Sequence, residues 1–336
     1  MIDELNVVAV IGAGTMGRGI AQAFAQAGYA ATLYDVDPEA AHRAREQIEQ
    51  TLAKGVERGK LDRAEKEQAL ERLRIETDLG EAVADADLAI EAIPEILDLK
   101  RAMFAELDAR CPGGAILASN TSSLPIARLA AETARPERVA GLHFFNPVHA
   151  MKLVEIVAPE EAAPEVVDTL RRAVESLGKR PIVVRDVAGF ATSRLGIALG
   201  LEAIRMVEDR VAAAADIDAA MELGYNHPMG PLKLTDLVGL DVRLAIAEHL
   251  ARELDERRFD VEADQRRPAV VGRPPLLRRR HHLEDVPLQR FQVEGLELLR
   301  VVEVLTHRIG PRRVLAKNRE VRLMRPPVPV RPGPSP

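Results

Sequence analysis

The sequence predicts an α/β protein, a doubly wound and mainly parallel sheet followed by a second, all-helical C-terminal domain. Three observations carry that expectation. Short apolar runs of strand length alternate with stretches of helical periodicity up to Asp186. A glycine-rich turn joins the first run to the first helix. After Asp186, helical patterns follow one another with no strand-like run between them.

Val7 to Ile11 is the first apolar run, Gly17 to Ala27 repeats apolar residues at helical spacing, and Ala30 to Tyr34 is a second run, giving strand, helix, strand. Asp37-Pro38 is a helix start, a capping carboxylate ahead of a residue whose fixed φ suits the first turn. Pro38 to Gly55 is charged with helical spacing, and the pattern resumes after Gly59-Lys60 as Asp62 to Leu73, predicting a helical hairpin that projects from the sheet. Further strands are expected at Leu88 to Ile93, Ala115 to Ala118, Val139 to Leu142, Leu153 to Val157 and Pro181 to Val184. Helices are expected at Ser193 to Glu208, Asp216 to Leu223 and Leu232 to Leu254, so the second domain begins near Val187. The division is therefore 1–186, 187–254 and a tail, 255–336. Half of the 22 prolines lie beyond Gln265, Arg far outnumbers the lone Lys317 there, and the end reads Arg325-Pro326-Pro327-Val328-Pro329. That composition is unsuited to a packed core.

Composition narrows the function classes. A chain of 336 residues suffices for two domains with cores of their own, and 47% hydrophobic with 29% charged residues is the balance of a soluble globular protein. A net charge of −6 without a basic stripe gives no electrostatic reason to expect nucleic acid. Cys111 is a single thiol, which excludes an internal disulfide and argues against a zinc site, in keeping with a reducing cytoplasm. The opening Met1-Ile2-Asp3-Glu4-Leu5 has no cationic stretch ahead of an apolar one, and no run approaches ~18 apolar residues, so neither secretion nor a membrane span is expected.

Gly12-Ala13-Gly14-Thr15-Met16-Gly17 follows a strand and opens a helix, the context in which a glycine pattern becomes specific for a dinucleotide, as in a Rossmann-type sheet. Gly12 permits the tight turn, Gly14 lets backbone approach a pyrophosphate, and Gly17 allows close packing of helix on strand. The unpaired N–H groups of the helix start face the phosphates. Asp35 ends the second strand, where its carboxylate accepts from a ribose 2′-hydroxyl and repels a 2′-phosphate, favouring NAD over NADP. Against this stands a glycine turn without a nucleotide.

His143 ends a strand-like run in Gly141-Leu142-His143-Phe144-Phe145-Asn146-Pro147, and Glu155 lies in the next. A turn at Pro147 to Ala150 would make the two neighbours in a hairpin, with Glu155 orienting one imidazole nitrogen and the other serving as general base. Alone, such a histidine is more often structural, and spacing leaves the two readings open. Ser119-Asn120-Thr121-Ser122-Ser123 follows a strand at the end where ligands bind in open α/β sheets; hydroxyls there either hold a substrate oxygen or cap a helix.

Taken together, from Val7 to about Leu254, these segments resemble the L-3-hydroxyacyl-CoA dehydrogenase family, and most of all its bacterial 3-hydroxybutyryl-CoA members. The resemblance rests on Gly12 to Gly17, Ser119-Asn-Thr-Ser-Ser-Leu124, Leu142-His-Phe-Phe-Asn-Pro147, Met151-Lys-Leu-Val-Glu155, Gly189-Phe190 and His227-Pro-Met-Gly-Pro-Leu-Lys-Leu-Thr-Asp236. It implies NAD as cofactor, an acyl-CoA substrate in fatty-acid or butanoate metabolism, and a homodimer paired through the helical domain. It implies too that His143 takes the hydroxyl proton while hydride leaves C3, that Glu155 orients it, and that Ser122 touches substrate and cofactor. Glu95, Lys100, Asn146 and Met16 then line the NAD site, and Thr51 and Arg58 of the helical hairpin fall where the family contacts coenzyme A, a cation suiting a phosphate-rich ligand. Two departures stand out. Ser193 occupies the position of an asparagine that helps bind the substrate carbonyl, and the family's glycine-rich ending is replaced by the Arg- and Pro-rich tail, which suggests a shift of reading frame near Asp255 to Gln265. A dehydrogenase of a non-thioester hydroxy acid such as L-gulonate, and an inactive structural relative, are the rival readings.

Overall fold

The computed structural model describes residues 5–254; the tail expectation lies outside them. Strands β1 (Val7–Ile11), β2 (Ala30–Tyr34), β3 (Leu73–Glu76), β4 (Leu88–Glu91), β5 (Ile116–Ser119), β6 (Val139–Phe144), β7 (Leu153–Ala158) and β8 (Arg180–Arg185) form one sheet in the order β3-β2-β1-β4-β5-β6-β7-β8. All neighbours pair in parallel except β6 and β7, which form an antiparallel pair. The doubly wound α/β expectation is met.

The central strands are apolar on both faces because helices cover both. Val8 and Val10 of β1 point to one layer, Ala9 and Ile11 to the other, and all four are fully buried. The first layer is filled by α1 (Thr15–Gln26) through Ile20 and Phe24, by α2 (Pro38–Glu57) through Ala44, Ile48 and Leu52, and by α3 (Arg63–Glu71) through Ala69. The second is filled from α4 (Leu79–Val83), α5 (Leu97–Arg110) and α6 (Ile126–Ala130), with Phe104, Leu107 and Leu129 inside. Helix α7 (Pro164–Ser176) returns to the first layer through Val166 and Leu170. Each such buried aliphatic or aromatic side chain contributes ~1.5–3 kcal/mol, so the core rests on many moderate contacts.

The chain reverses its strand order between β1 and β4, the point where α/β sheets leave a crevice at the carboxyl ends of their strands. The glycine turn follows β1, the segment 92–96 follows β4, the serine segment follows β5, and His143 lies in β6 next to its end, so the loops around the crevice carry nearly every candidate residue.

Three local differences from the sequence expectation have physical reasons. Strand β3 begins where helix was expected to run on; Leu73 and Ile75 alternate with Arg74 and Glu76, and β2 offers a parallel edge that pairs Ala31 with Leu73 and Leu33 with Ile75, Ala31 N donating to Arg72 O at 2.9 Å. The hairpin of α2 and α3 packs back onto α1 and β3 through its buried face rather than standing clear. The single helix expected over Leu232 to Leu254 is two, α10 (Pro231–Val238) and α11 (Leu240–Glu253), because Gly239 between them has φ of +98°. With α8 (Thr192–Glu208) and α9 (Ala214–Gly224) these make up the helical part, whose own buried cluster is Ile197, Ala247 and Leu250. The His227 to Asp236 motif opens α10: buried Asp218 accepts from Leu232 N at 2.8 Å and Lys233 N at 3.1 Å, and Gly230 leaves room for that carboxylate. No helix among the described residues is long and apolar enough to cross a membrane.

Candidate active site

The turn after β1 is built to leave space. Gly12 has φ of +106°, and a side chain there would meet the Ala92 carbonyl oxygen at 2.9 Å. A Cβ on Gly17 would lie 1.7 Å from the Gly12 oxygen, so helix and turn close on each other only with glycine. A Cβ on Gly14 would meet nothing within 4 Å: the space above the first turn of α1 is open, and no side chain caps that helix start. Asp35 accepts from Ala13 N at 2.8 Å through one oxygen and from Asp37 N at 3.0 Å through the other, which fixes its carboxylate beside the turn. An open helix start and an oriented carboxylate fit a dinucleotide. Met16 packs its side chain against the core under this turn.

His143 and Glu155 are direct cross-strand partners of β6 and β7, and His143 Nδ1 lies 2.7 Å from Glu155 Oε2. Glu155 is fully buried and receives three more hydrogen bonds, from Ala191 N, Thr192 N and the Thr192 hydroxyl, at 3.2, 3.0 and 2.8 Å. Burial alone would push this carboxyl up, but the bonds from His143 and Thr192 outweigh it and hold it below the ordinary glutamate range. An ionised Glu155 accepts the hydrogen bond from Nδ1–H, so the proton stays on Nδ1 and Nε2 carries the lone pair. Phe145 and Phe190 flank the imidazole at centroid distances of 4.3 and 5.9 Å. Gly189 and Phe190 both have positive φ, +72° and +46°, and this left-handed bend aims the start of α8 at Glu155.

The serine segment is held from two sides. Glu95 Oε1 accepts from the Thr121 hydroxyl at 2.5 Å, Ser122 N at 3.0 Å and the Ser122 hydroxyl at 3.3 Å. The Ser193 hydroxyl donates to the Ser122 carbonyl at 3.3 Å, and His249 Nε2 lies 3.2 Å from that of Ser123. Asn120 Oδ1 accepts from Phe144 N at 2.9 Å, tying the segment to β6.

Of the residues singled out in the sequence, His143 and Glu155 are brought together directly, as are Glu95, Lys100, Ser122 and Ser193, and Thr192-Ser193 links the two groups. Asn146 is exposed after β6. Thr51 and Arg58 stand apart from this network: the Thr51 hydroxyl donates to Gln47 O at 2.7 Å within α2, and Arg58 is exposed at that helix's end. Sequence reasoning passed over Thr192, whose hydroxyl carries no spacing signal, and Glu91, whose signal was available as a carboxylate ending the otherwise apolar strand Leu88-Ala89-Ile90-Glu91.

Residues 7–187 match the model of the 3-hydroxyacyl-CoA dehydrogenase NAD binding domain, and residues 189–268 match that of the 3-hydroxyacyl-CoA dehydrogenase C-terminal domain. The chain is 45% identical over 274 residues to 3-hydroxyadipyl-CoA dehydrogenase of Escherichia coli K12, an alignment covering 81% of this chain and 58% of that one. It is 44% identical over 256 residues to a probable 3-hydroxybutyryl-CoA dehydrogenase of Bacillus subtilis, covering 76% and 89%. The crystal structure of (S)-3-hydroxybutyryl-CoA dehydrogenase from Ralstonia eutropha is similar at a TM-score of 0.72 and 37% identity, over 74% of this chain and 88% of that one. The chain thus spans less than two thirds of the E. coli relative but most of the other two. Because both halves of the family are matched in order and at such identities, the chain belongs to the 3-hydroxyacyl-CoA dehydrogenase family of oxidoreductases, with NAD as the cofactor of its sheet domain.

Proposed function

We propose that this protein oxidises the 3-hydroxyl of an (S)-3-hydroxyacyl-CoA, a short-chain substrate such as 3-hydroxybutyryl-CoA, to the 3-oxoacyl-CoA. The observation that carries the reading is the buried His143–Glu155 pair at 2.7 Å, set next to the carboxyl end of β6 and secured by the first turn of α8. His143 Nε2 accepts the hydroxyl proton, and the charge that develops on the ring faces the Glu155 carboxylate. NAD, when bound, supplies the hydride acceptor. The Ser122 hydroxyl turns from Glu95 to donate to the substrate oxygen, and Ser193, on the Ser122 carbonyl, takes the place of the family's asparagine beside it. Gly12, Gly14, Met16, Gly17, Asp35, Glu95, Lys100, Ser122 and Asn146 form the proposed NAD-lining set, and Thr51, Arg58 and Ser122 the proposed coenzyme A substrate contacts.

The same reading divides the chain into a nucleotide domain, 1–186, and a helical domain from 187. It pairs two copies through the helical domain, where Leu195, Leu223 and Leu237 expose apolar surface that a partner would cover. The test is loss of NADH absorbance on adding acetoacetyl-CoA to the purified protein. A clear rate upholds the assignment; no rate with NADH binding intact by fluorescence would overturn the substrate.

A further inference from the structure

The backbone of the serine segment is pinned along both of its edges, and one pin comes from a residue that the reaction chemistry does not use. The Thr121 hydroxyl oxygen accepts from Ser123 N at 3.3 Å and from Leu124 N at 2.9 Å, so the two peptide units on either side of Ser123 share one anchor on their N–H edges. Their C=O edges are taken by the helical part. The Ser193 hydroxyl of α8 donates to the Ser122 carbonyl at 3.3 Å, and His249 Nε2 of α11 lies 3.2 Å from the Ser123 carbonyl. A carbonyl oxygen only accepts, so His249 carries a proton on Nε2 and donates it here. Each peptide unit is a rigid plane. Held on both edges, such a plane has one orientation; held on one, it rocks about its anchor.

The helix that carries His249 is itself seated on the site. Ala247 and Leu250 of α11 are buried with Ile197 of α8 in the cluster of the helical part. Leu250 also fills the space beside Gly189, where a Cβ would meet its Cδ2 at 2.5 Å. That glycine opens the left-handed bend that brings the Thr192 donors to Glu155. The last turns of α11 therefore touch both arms of the site, Leu250 the arm of His143 and Glu155, and His249 the arm of Ser122.

We infer that His249 is a positioning residue for Ser122: by donating to the Ser123 carbonyl it fixes the second of the two peptide planes, so that the Ser122 hydroxyl turns toward substrate from a backbone of one orientation. The inference rests on the proposed role of Ser122.

The test compares His249→Leu, which keeps the bulk and deletes the donor, with His249→Gln, whose amide N–H reaches about as far as Nε2. Three quantities are read: deuterium exchange into peptides covering 119–124, NADH affinity by fluorescence, and turnover of acetoacetyl-CoA with and without Ser122→Ala. For His249→Leu the expected results are faster exchange confined to that segment and NADH affinity within about threefold. Its turnover is expected to fall about threefold to tenfold, the range of one neutral hydrogen bond, and that loss to vanish largely when Ser122 is already alanine. His249→Gln is expected to restore exchange and turnover to within about twofold of the wild type. Equal losses in the leucine and glutamine variants would mean that the ring acts by packing alone and would overturn the inference. Unchanged exchange in His249→Leu overturns it as well, as does a loss that adds in full to that of Ser122→Ala. Should His249→Leu not fold, His249→Asn, whose amide is one methylene too short to reach, takes its place: loosening of 119–124 absent from the glutamine variant upholds the inference, and no loosening overturns it. If the wild type turns over no acyl-CoA, the proposed substrate fails, while the exchange comparison still decides this inference.

Discussion

At the scale of single residues, the site is a set of carboxylates that organise other groups. Glu155 orients His143, Glu95 holds Ser122 and Asp35 braces the glycine turn. His143→Ala removes the proton acceptor and is expected to lower turnover by about 10²–10⁴-fold while leaving NADH affinity unchanged, because no cofactor-side hydrogen bond is lost. Near-normal turnover would reject the base assignment. Thr192→Val keeps the shape of the α8 start and deletes one donor to a buried carboxylate. Hydrogen bonds to charged groups contribute ~1.5–3 kcal/mol, so a lower melting temperature and reduced turnover are expected together. An unshifted melting curve would show that the hydroxyl contributes nothing.

At the scale of elements, the turn between β1 and α1 allows a sharp comparison. A Cβ at Gly17 meets the Gly12 oxygen at 1.7 Å, whereas one at Gly14 meets nothing within 4 Å. Gly17→Ala is expected to destabilise the fold itself, and Gly14→Ala to fold normally but bind NADH weakly, since its methyl occupies the space a pyrophosphate needs. Equal melting temperatures for the two, or normal NADH binding by Gly14→Ala, would contradict that account. This turn was legible in the sequence because glycine spacing, a strand before and a helix after are all local. The His143–Glu155 contact was half legible: alternation and a turn placed the two in a hairpin, but only register makes them direct partners. Strand β3 was not legible, since four alternating residues beside a long charged helix carry too little periodicity to stand out. The burial of Lys100 was not legible, because it depends on Glu91, nine residues away on another element.

At the scale of the whole molecule, half-buried Asp186 and buried Glu155 pull stability in opposite directions as pH changes. Burial raises the Asp186 carboxyl, against the two α6 amides it accepts from, so the folded state binds its proton more tightly than the unfolded chain and this group favours folding as pH falls. Glu155 has the opposite sign. Its folded pKa lies below the unfolded glutamate value of about 4.3, so in the window just below that value the unfolded chain binds more protons than the folded one. The stability Glu155 supplies is therefore fully present above that window and lost as pH falls through the folded value. Because Glu155 joins β7 to the start of α8, what weakens in acid is the attachment of the helical part to the sheet. The Glu155→Gln variant isolates this contribution, since Asp186 is common to both proteins. Urea unfolding across a pH series is expected to show the variant clearly less stable than the wild type near neutrality, with the gap closing below about pH 4 as the wild-type carboxyl takes up the proton that makes it resemble an amide. A gap that stays constant from neutrality into acid would mean that Glu155 stabilises the fold by packing alone, and the ionised form assigned to it beside His143 would have to be abandoned.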